Sequence, residues 1–282
     1  MRKRLLIFSP VVLVGVLLGT YFAGLWRLTP TPTSPEQLAR LKDQYLKIHP
    51  ADGKTDTRFA MFADVHHGYG LVENIVAEIE KDGNYDFMTC AGDMVSKCRG
   101  ADYDLFAKSI LRNQRKTPQI FVPGNHDAGK VKDRDLYNKF FGATHYKFSV
   151  GKNLFVSIDN ATDEVFNDEY AWLESVLKAE RDKYDNLIVF MHVPPVDMRA
   201  GAEWHAMPQE DGDKLLGLLK QYHATAIFCG HIHAYEEWKK DGVPIYVSGG
   251  SGGRLADGGY HHYLEVLIHD GKVTVTIHRI NQ

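Results

Sequence analysis

Cysteine is scarce, with three residues in 282, at positions 90, 98 and 229. An odd count without regular spacing excludes a disulfide framework, and the absence of a paired C-x-x-C excludes a zinc ribbon. Cys90 and Cys229 lie in the apolar runs FMTCAGD and AIFCGH, where a small buried hydrophobe is the expected role. A basic excess is also lacking. The net charge is −3, and setting aside the four positive charges of Arg2, Lys3, Arg4 and Arg27, which flank the first apolar run, leaves the body at −7. That argues against a surface built for nucleic acid, but not against a small anionic ligand held through metal ions. Low-complexity tracts and internal repeats are missing too. What remains is ordinary globular composition, 44% hydrophobic and 24% charged, in a length that suits one large domain or two small ones.

The amino end departs from that composition. Three basic residues precede an uncharged, mostly apolar stretch of 22 residues, Leu5 to Trp26. A helix of that length spans a bilayer core of about 30 Å. Tyr21 and Trp26 stand where an aromatic belt would sit, and Pro10 bends such a helix without forbidding it. The alternative is a cleaved signal peptide, but no small-x-small site ends the run: Tyr21 stands three residues before a cut after Ala23. The reading is a signal anchor over 1–27. The basic cluster then stays cytoplasmic, and the body lies outside the cytoplasm, periplasmic or extracellular. Residues 28–57 read as a Pro-rich spacer and a short helix from about 35 to 48. Ser34 is its N-cap, Pro35 its first residue and Gln37 the closing member of a capping box.

From residue 58 to 282 apolar strands alternate with amphipathic helices. The strands include RFAMFAD, DFMTCAGD, QIFVPGN, NLIVFMHVPP and ATAIFCGHIH, and the intervening segments carry helical spacing. HYKFSVGKNLFVSIDN reads as a hairpin around Gly-Lys-Asn. Alternation with apolar strands predicts an α/β fold with buried sheets. The tail VPIYVSGG, HYLEVLIH and KVTVTIHRI is strand only, its last two members a hairpin across Asp270-Gly271. It suggests a second sheet packed on the first.

The polar residues fall at the ends of the strands. ADVH carries Asp64 and His66, AGD carries Asp93, GNHD carries Asn125, His126 and Asp127, MH carries His192, and GHIH carries His231 and His233. In open α/β sheets the carboxyl ends of strands share one edge, where ligands bind. Buried carboxylates and imidazoles need partners, and a cation supplies one. Oxygen and nitrogen donors without thiolate favour Mn, Fe, Zn or Co. The set is too large for one ion, so two transition-metal ions sharing a carboxylate are expected. Asp-x-His and His-x-His would each place two ligands on one side of an extended segment, and glycines 92, 124 and 230 would let the backbone turn beside the metals.

The ordered set D-x-H, G-D, G-N-H-D, H and G-H-x-H resembles the calcineurin-like metallophosphoesterase superfamily, over residues 58 to about 265. The resemblance implies two facing mixed β-sheets flanked by helices in four layers, α/β/β/α. It implies that Asp64, His66 and His233 hold one ion, that Asn125, His192 and His231 hold the other, and that Asp93 bridges them. His126 is similar to the non-ligand histidine beside the leaving group, and so would be the general acid. In some family members an aspartate three residues after the bridging one supports that histidine. Here the position is Ser96, leaving Asp127 or water for the support. His67 duplicates His66 and is a stray candidate for a supporting role.

The implied activity is dinuclear-metal-dependent hydrolysis of a phosphoester, as phosphatase or phosphodiesterase, through attack of a metal-bridging hydroxide on phosphorus. A catalytically retired binding protein on the same fold, and a metallohydrolase for a substrate other than phosphate, are the alternatives. A retired site should show gaps in its ligand set, and none is seen. Loops after His192 and after the last ligand offer Arg199, His205 and Arg254 as candidate substrate contacts. The sequence names no protein partner.

Overall fold

The computed structural model describes residues 31–48, 54–114, 116–128, 134–199 and 205–280. The anchor expected over 1–27 lies outside them. No helix among the described residues is long and apolar enough to cross a membrane.

Helix α1 spans Pro35–Leu41, with the capping box of Ser34 and Gln37 formed and Pro35 in its first turn. The expectation of one helix to residue 48 is corrected here. Asp43 takes a left-handed φ of 50°, and a 3-10 turn, Gln44–Lys47, follows. The break has a partner: Asp43 N donates to the Phe141 carbonyl at 2.9 Å, and Ala143 N donates to Asp43 Oδ1 at 3.1 Å. The segment packs on the body rather than standing off as a spacer. Leu41 is fully buried, and Tyr45 stacks on Tyr146 with centroids 4.4 Å apart.

Eleven strands among the described residues form two sheets. The first has the order β11-β10-β1-β2-β3. Its members are β1 Thr57–Phe62, β2 Phe87–Ala91, β3 Gln119–Val122, β10 His262–His269 and β11 Lys272–Arg279. The second has the order β4-β5-β6-β7-β9-β8. It is built from β4 Tyr146–Val150, β5 Asn153–Ser157, β6 Asn186–Phe190, β7 Ala226–Cys229, β8 Tyr235–Lys240 and β9 Val243–Ser248. Strands β1, β2 and β3 run parallel, as do β5, β6, β7 and β9. The remaining pairs are antiparallel, including the expected hairpins β4–β5 and β10–β11. Both turn residues of the latter, Asp270 at φ 47° and Gly271 at φ 74°, have the positive φ that a two-residue hairpin favours.

The strand-only tail does not make the second sheet. Strand β9 joins the second sheet, while β10 and β11 extend the first beyond β1. An antiparallel pair can join any open edge, and the tail's pattern carries no register to say which.

The strands are apolar on both faces because both faces are covered. Phe59, Phe87, Phe155, Phe190 and Phe228 fill the space between the sheets with stacked and edge-on rings. The outer face of the first sheet, at Ala60, Phe62, Met88 and Cys90, packs on α2 (Tyr69–Asp82), α3 (Gly100–Asn113) and α4 (Asp135–Phe141). The outer face of the second, at Val156, Val189, Ile227 and Cys229, packs on α5 (Asn167–Glu180) and α6 (Gln209–Gln221). Two mixed sheets flanked by helices therefore form one body over the described residues from Thr33 on.

Candidate metal centre

Each apolar strand of the parallel cores ends, and two or three residues later a polar side chain turns inward. Asp64 follows β1, Asp93 follows β2, Asn125 follows β3, His192 follows β6, and His231 follows β7. The first three come from one sheet and the last two from the other, so the site sits where two carboxyl edges meet.

The backbone there is not extended, which corrects the premise that Asp-x-His and His-x-His project from straight segments. Asp64, His66, Asp93 and His231 have φ of 59°, 51°, 53° and 71°. Each such residue costs roughly 1–2 kcal/mol for a side chain other than glycine. The loops are braced to hold it. The Asp93 carbonyl accepts from Val65 N at 2.9 Å and His66 N at 3.0 Å. His231 N donates to Asp64 Oδ2 at 2.8 Å, tying the two sheets together. Asn125 to Asp127 form a turn. It sends Asn125 toward His192 and His231, and His126 toward His66. Two glycines make room. A Cβ on Gly92, at φ 95°, would lie 2.1 Å from His192 Nδ1, and one on Gly124 would lie 2.3 Å from Asp93 Oδ1.

The side chains form two overlapping groups. In one, His233 Nε2 is 3.3 Å from Asp64 Oδ1 and 3.2 Å from His66 Nε2, and His66 Nε2 is 3.5 Å from Asp93 Oδ2. In the other, Asn125 Oδ1 is 3.1 Å from His192 Nε2 and 3.0 Å from His231 Nδ1, and His192 Nε2 is 3.4 Å from Asp93 Oδ1. Asp93 faces both groups with different oxygens. Asp64, Asp93 and His192 are almost wholly buried.

Several imidazoles have their tautomer set by backbone. Nδ1 of His192 meets the Ala91 carbonyl at 2.8 Å, Nδ1 of His233 meets the Arg254 carbonyl at 2.5 Å, and Nδ1 of His126 meets the Ser96 carbonyl at 2.8 Å. A carbonyl only accepts, so each Nδ1 carries hydrogen and each neutral ring aims the Nε2 lone pair into the site. His233 thus points a lone pair at Asp64 Oδ1, a buried oxygen that no hydrogen bond satisfies. A carboxylate oxygen and an imine nitrogen facing each other need a cation between them, either a proton or a metal. The donor set therefore fits metal ions.

In the absence of metal, a proton is the cation that the carboxylates draw onto His192. Burial alone would keep His192 neutral, but the Asp93 carboxylate outweighs it and pushes the ring up to about 10. Burial, helped by His192, drives His231 down to about 4. Burial would raise Asp93, but His192, His126 and His66 together hold it well below the usual carboxylate range.

His126 is the most open of the set, its side chain 43% exposed. Its Nε2 stands 4.0 Å from Asp93 Oδ2, and its main-chain N–H donates to Asp93 Oδ1 at 2.8 Å. Asp127 does not support the ring. Its carboxylate is buried and accepts from Gly124 N at 2.9 Å and Val95 N at 3.2 Å, which pins the loop. The support comes from the main chain of Ser96 instead. His67 is exposed, 6.4 Å ring to ring from Tyr69, and takes no part in the cluster.

Asn160 was not singled out in the sequence. It is buried three residues beyond β5, and its Oδ1 accepts from the backbone N–H groups of His192 at 3.0 Å and Val193 at 3.2 Å. The signal was present, since SIDN is another apolar strand running into a polar residue. Arg199, His205 and Arg254 line one cavity of about 270 Å³ with His231 and His233.

A family model for calcineurin-like phosphoesterases matches residues 57–235. Among curated relatives, a probable cyclic nucleotide phosphodiesterase of Fibrobacter succinogenes is 27% identical over 205 residues, covering 68% of this chain and 73% of that one. A serine/threonine-protein phosphatase of Danio rerio is 26% identical over 216 residues, covering 70% of this chain and 69% of its own. Among solved structures, a dimetal phosphatase from Danio rerio superimposes with a TM-score of 0.60 at 13% identity, over 79% of this chain and 96% of that one. The last likeness is one of fold.

Proposed function

The chain belongs to the calcineurin-like phosphoesterase family and is a metal-dependent phosphoric ester hydrolase, and from that premise we propose a two-ion active site that cleaves a phosphoester outside the cytoplasm. The observation that carries the reading is Asp93, whose two oxygens face two separate ligand groups. Asp64, His66 and His233 would hold one ion, Asn125, His192 and His231 the other, with Asp93 shared. Bound there, Mn, Fe, Zn or Co ions would neutralise charge on the phosphoryl oxygens and supply a nucleophilic water at neutral pH.

The chain's own residues do the rest. Asp93, with both oxygens engaged, fixes the separation of the two groups. The carbonyls of Ala91 and Arg254 hold His192 and His233 in one tautomer and orientation. His126 has Nδ1–H committed to Ser96, so the proton it can give away is the one on Nε2 of its imidazolium. As the bond between phosphorus and the departing oxygen breaks, that proton passes to the leaving alkoxide, a role worth about 10²–10⁴-fold. Placement outside the cytoplasm rests on the basic start and the apolar run from Leu5 to Trp26.

The test is a substrate panel on the body from residue 31 on, with Mn, Zn, Fe or Co supplied. It comprises an aryl monoester, an aryl diester, a cyclic nucleotide and pyrophosphate. Metal-dependent release of product from at least one is expected. Silence on all of them with every metal would overturn the reading.

A further inference from the structure

Beside the ligand histidines the molecule carries more positive charge than one reacting phosphoryl group requires. Only two members of the proposed ligand set, Asp64 and Asp93, are anionic, so a site loaded with two metal ions already presents net positive charge to phosphorus. Yet Arg199 and Arg254 share a cavity with His205, His231 and His233, in a body that is acidic overall.

One of these cations, Arg199, is built in place. Asp197, its side chain fully buried, accepts from Arg199 Nε at 3.0 Å, from Nη2 at 2.6 Å and from the main-chain N at 3.0 Å. The same carboxylate stands 3.9 Å from His205 Nδ1. A guanidinium clamped along one edge has lost its rotamer freedom before a ligand arrives, and its other edge keeps N–H donors for an anion. Among the described residues, Nη1 of Arg199 has no hydrogen-bond acceptor, and the field of Glu236 adds to that of Asp197 in keeping it charged. The main chain of Arg254 is tied to the centre from the other side, since its carbonyl orients His233, while its side chain is exposed at the cavity. Gly253 lets that loop lie against the metal-ligand rings, because a Cβ there would come within 2.6 Å of His66.

We propose that Arg199, His205 and Arg254 form a second anion subsite, and that the substrate is a small phosphoester whose departing group carries its own carboxylate or phosphate. The inference rests on the phosphoester reading and specifies its substrate class. The cavity of about 270 Å³ falls just below the roughly 300–1,000 Å³ of small-molecule sites, which fits a compact ester with two anionic ends.

The experiment uses Mn-loaded protein and two probes, phenylphosphonate and 4-carboxyphenylphosphonate, titrated by calorimetry. Turnover of phenyl phosphate and 4-carboxyphenyl phosphate is measured on the same preparations. The carboxylated probe should bind about tenfold more tightly, and its ester should show a matching advantage in kcat/KM. In Arg199→Gln and Arg254→Gln the ratio between the two probes should fall toward one. Equal binding of the two probes by the unmodified protein would overturn the subsite. So would variants that weaken both probes alike, since the arginines would then hold the reacting phosphoryl group itself. In either case continued Mn-dependent turnover of phenyl phosphate leaves the phosphoester reading standing, whereas loss of the reading itself would show as no turnover of either ester.

Discussion

His126 and Asp93 lie within 4.0 Å of each other, yet their proposed tasks are separable. His126→Ala should keep both metal ions and lose about 10²–10⁴ in kcat on alkyl esters. It should lose much less on aryl esters, whose leaving group needs little protonation. Asp93→Ala should lose metal content and activity together, whatever the leaving group. Metal analysis with kcat on both ester types checks this. Equal slowing of alkyl and aryl esters by His126→Ala, or a lost ion, would make His126 a ligand or a phosphate-binding group. Asn160→Ala leaves two buried N–H groups unpaired, at on the order of 1–3 kcal/mol each, so thermal unfolding should come at lower temperature and activity should fall with it. The residues gathered at this site stand out in the sequence because so many apolar strands run into Asp, Asn or His, although a turn or a hydrogen-bonded core histidine would explain any one of them alone. The support of His126 was not legible, because a main-chain carbonyl has no letter in the sequence: Ser96 reads as a lost aspartate and acts through its backbone.

At the scale of elements, the strands and their order were readable from apolar runs, and the turns beyond them were not. The sequence suggested extended segments carrying paired ligands, whereas four left-handed residues bend the chain into the site. Asp and His tolerate that conformation better than most residues, so nothing in their identity distinguished a strand end from a turn. Strand β8 has no apolar signature in the sequence, because YEEWKK is mostly polar. It sits at a sheet edge, half exposed, where charged residues discourage pairing with another chain. Two glycines give opposite expectations. Gly92→Ala places a methyl group against His192 at a φ of 95°, and should cost about 1–3 kcal/mol and displace that ring. Gly70→Ala, near the start of α2 with nothing within 4 Å of the new methyl, should raise stability by about 0.4–1 kcal/mol. Denaturant midpoints of the two variants, read with metal content, test whether the backbone at Gly92 is set by the site.

At the scale of the molecule, two sheets each bring one carboxyl edge to a shared seam, and that is why proposed ligands separated by as many as 169 positions, from Asp64 to His233, meet. The alternation of strands and helices announced the layers. Only pairing in space shows that the tail divides between the sheets, since each tail strand could satisfy either edge. Placement outside the cytoplasm is a separate expectation. Protease added to spheroplasts should digest the body of the full-length chain, and full protection would refute the anchor. Elemental analysis of protein purified without chelator tests the two-ion centre shared through Asp93. Close to two transition-metal ions per chain are expected, with both lost and hydrolysis abolished in Asp93→Ala. A stoichiometry near zero, with no hydrolysis restored by Mn, Fe, Zn or Co, would contradict it.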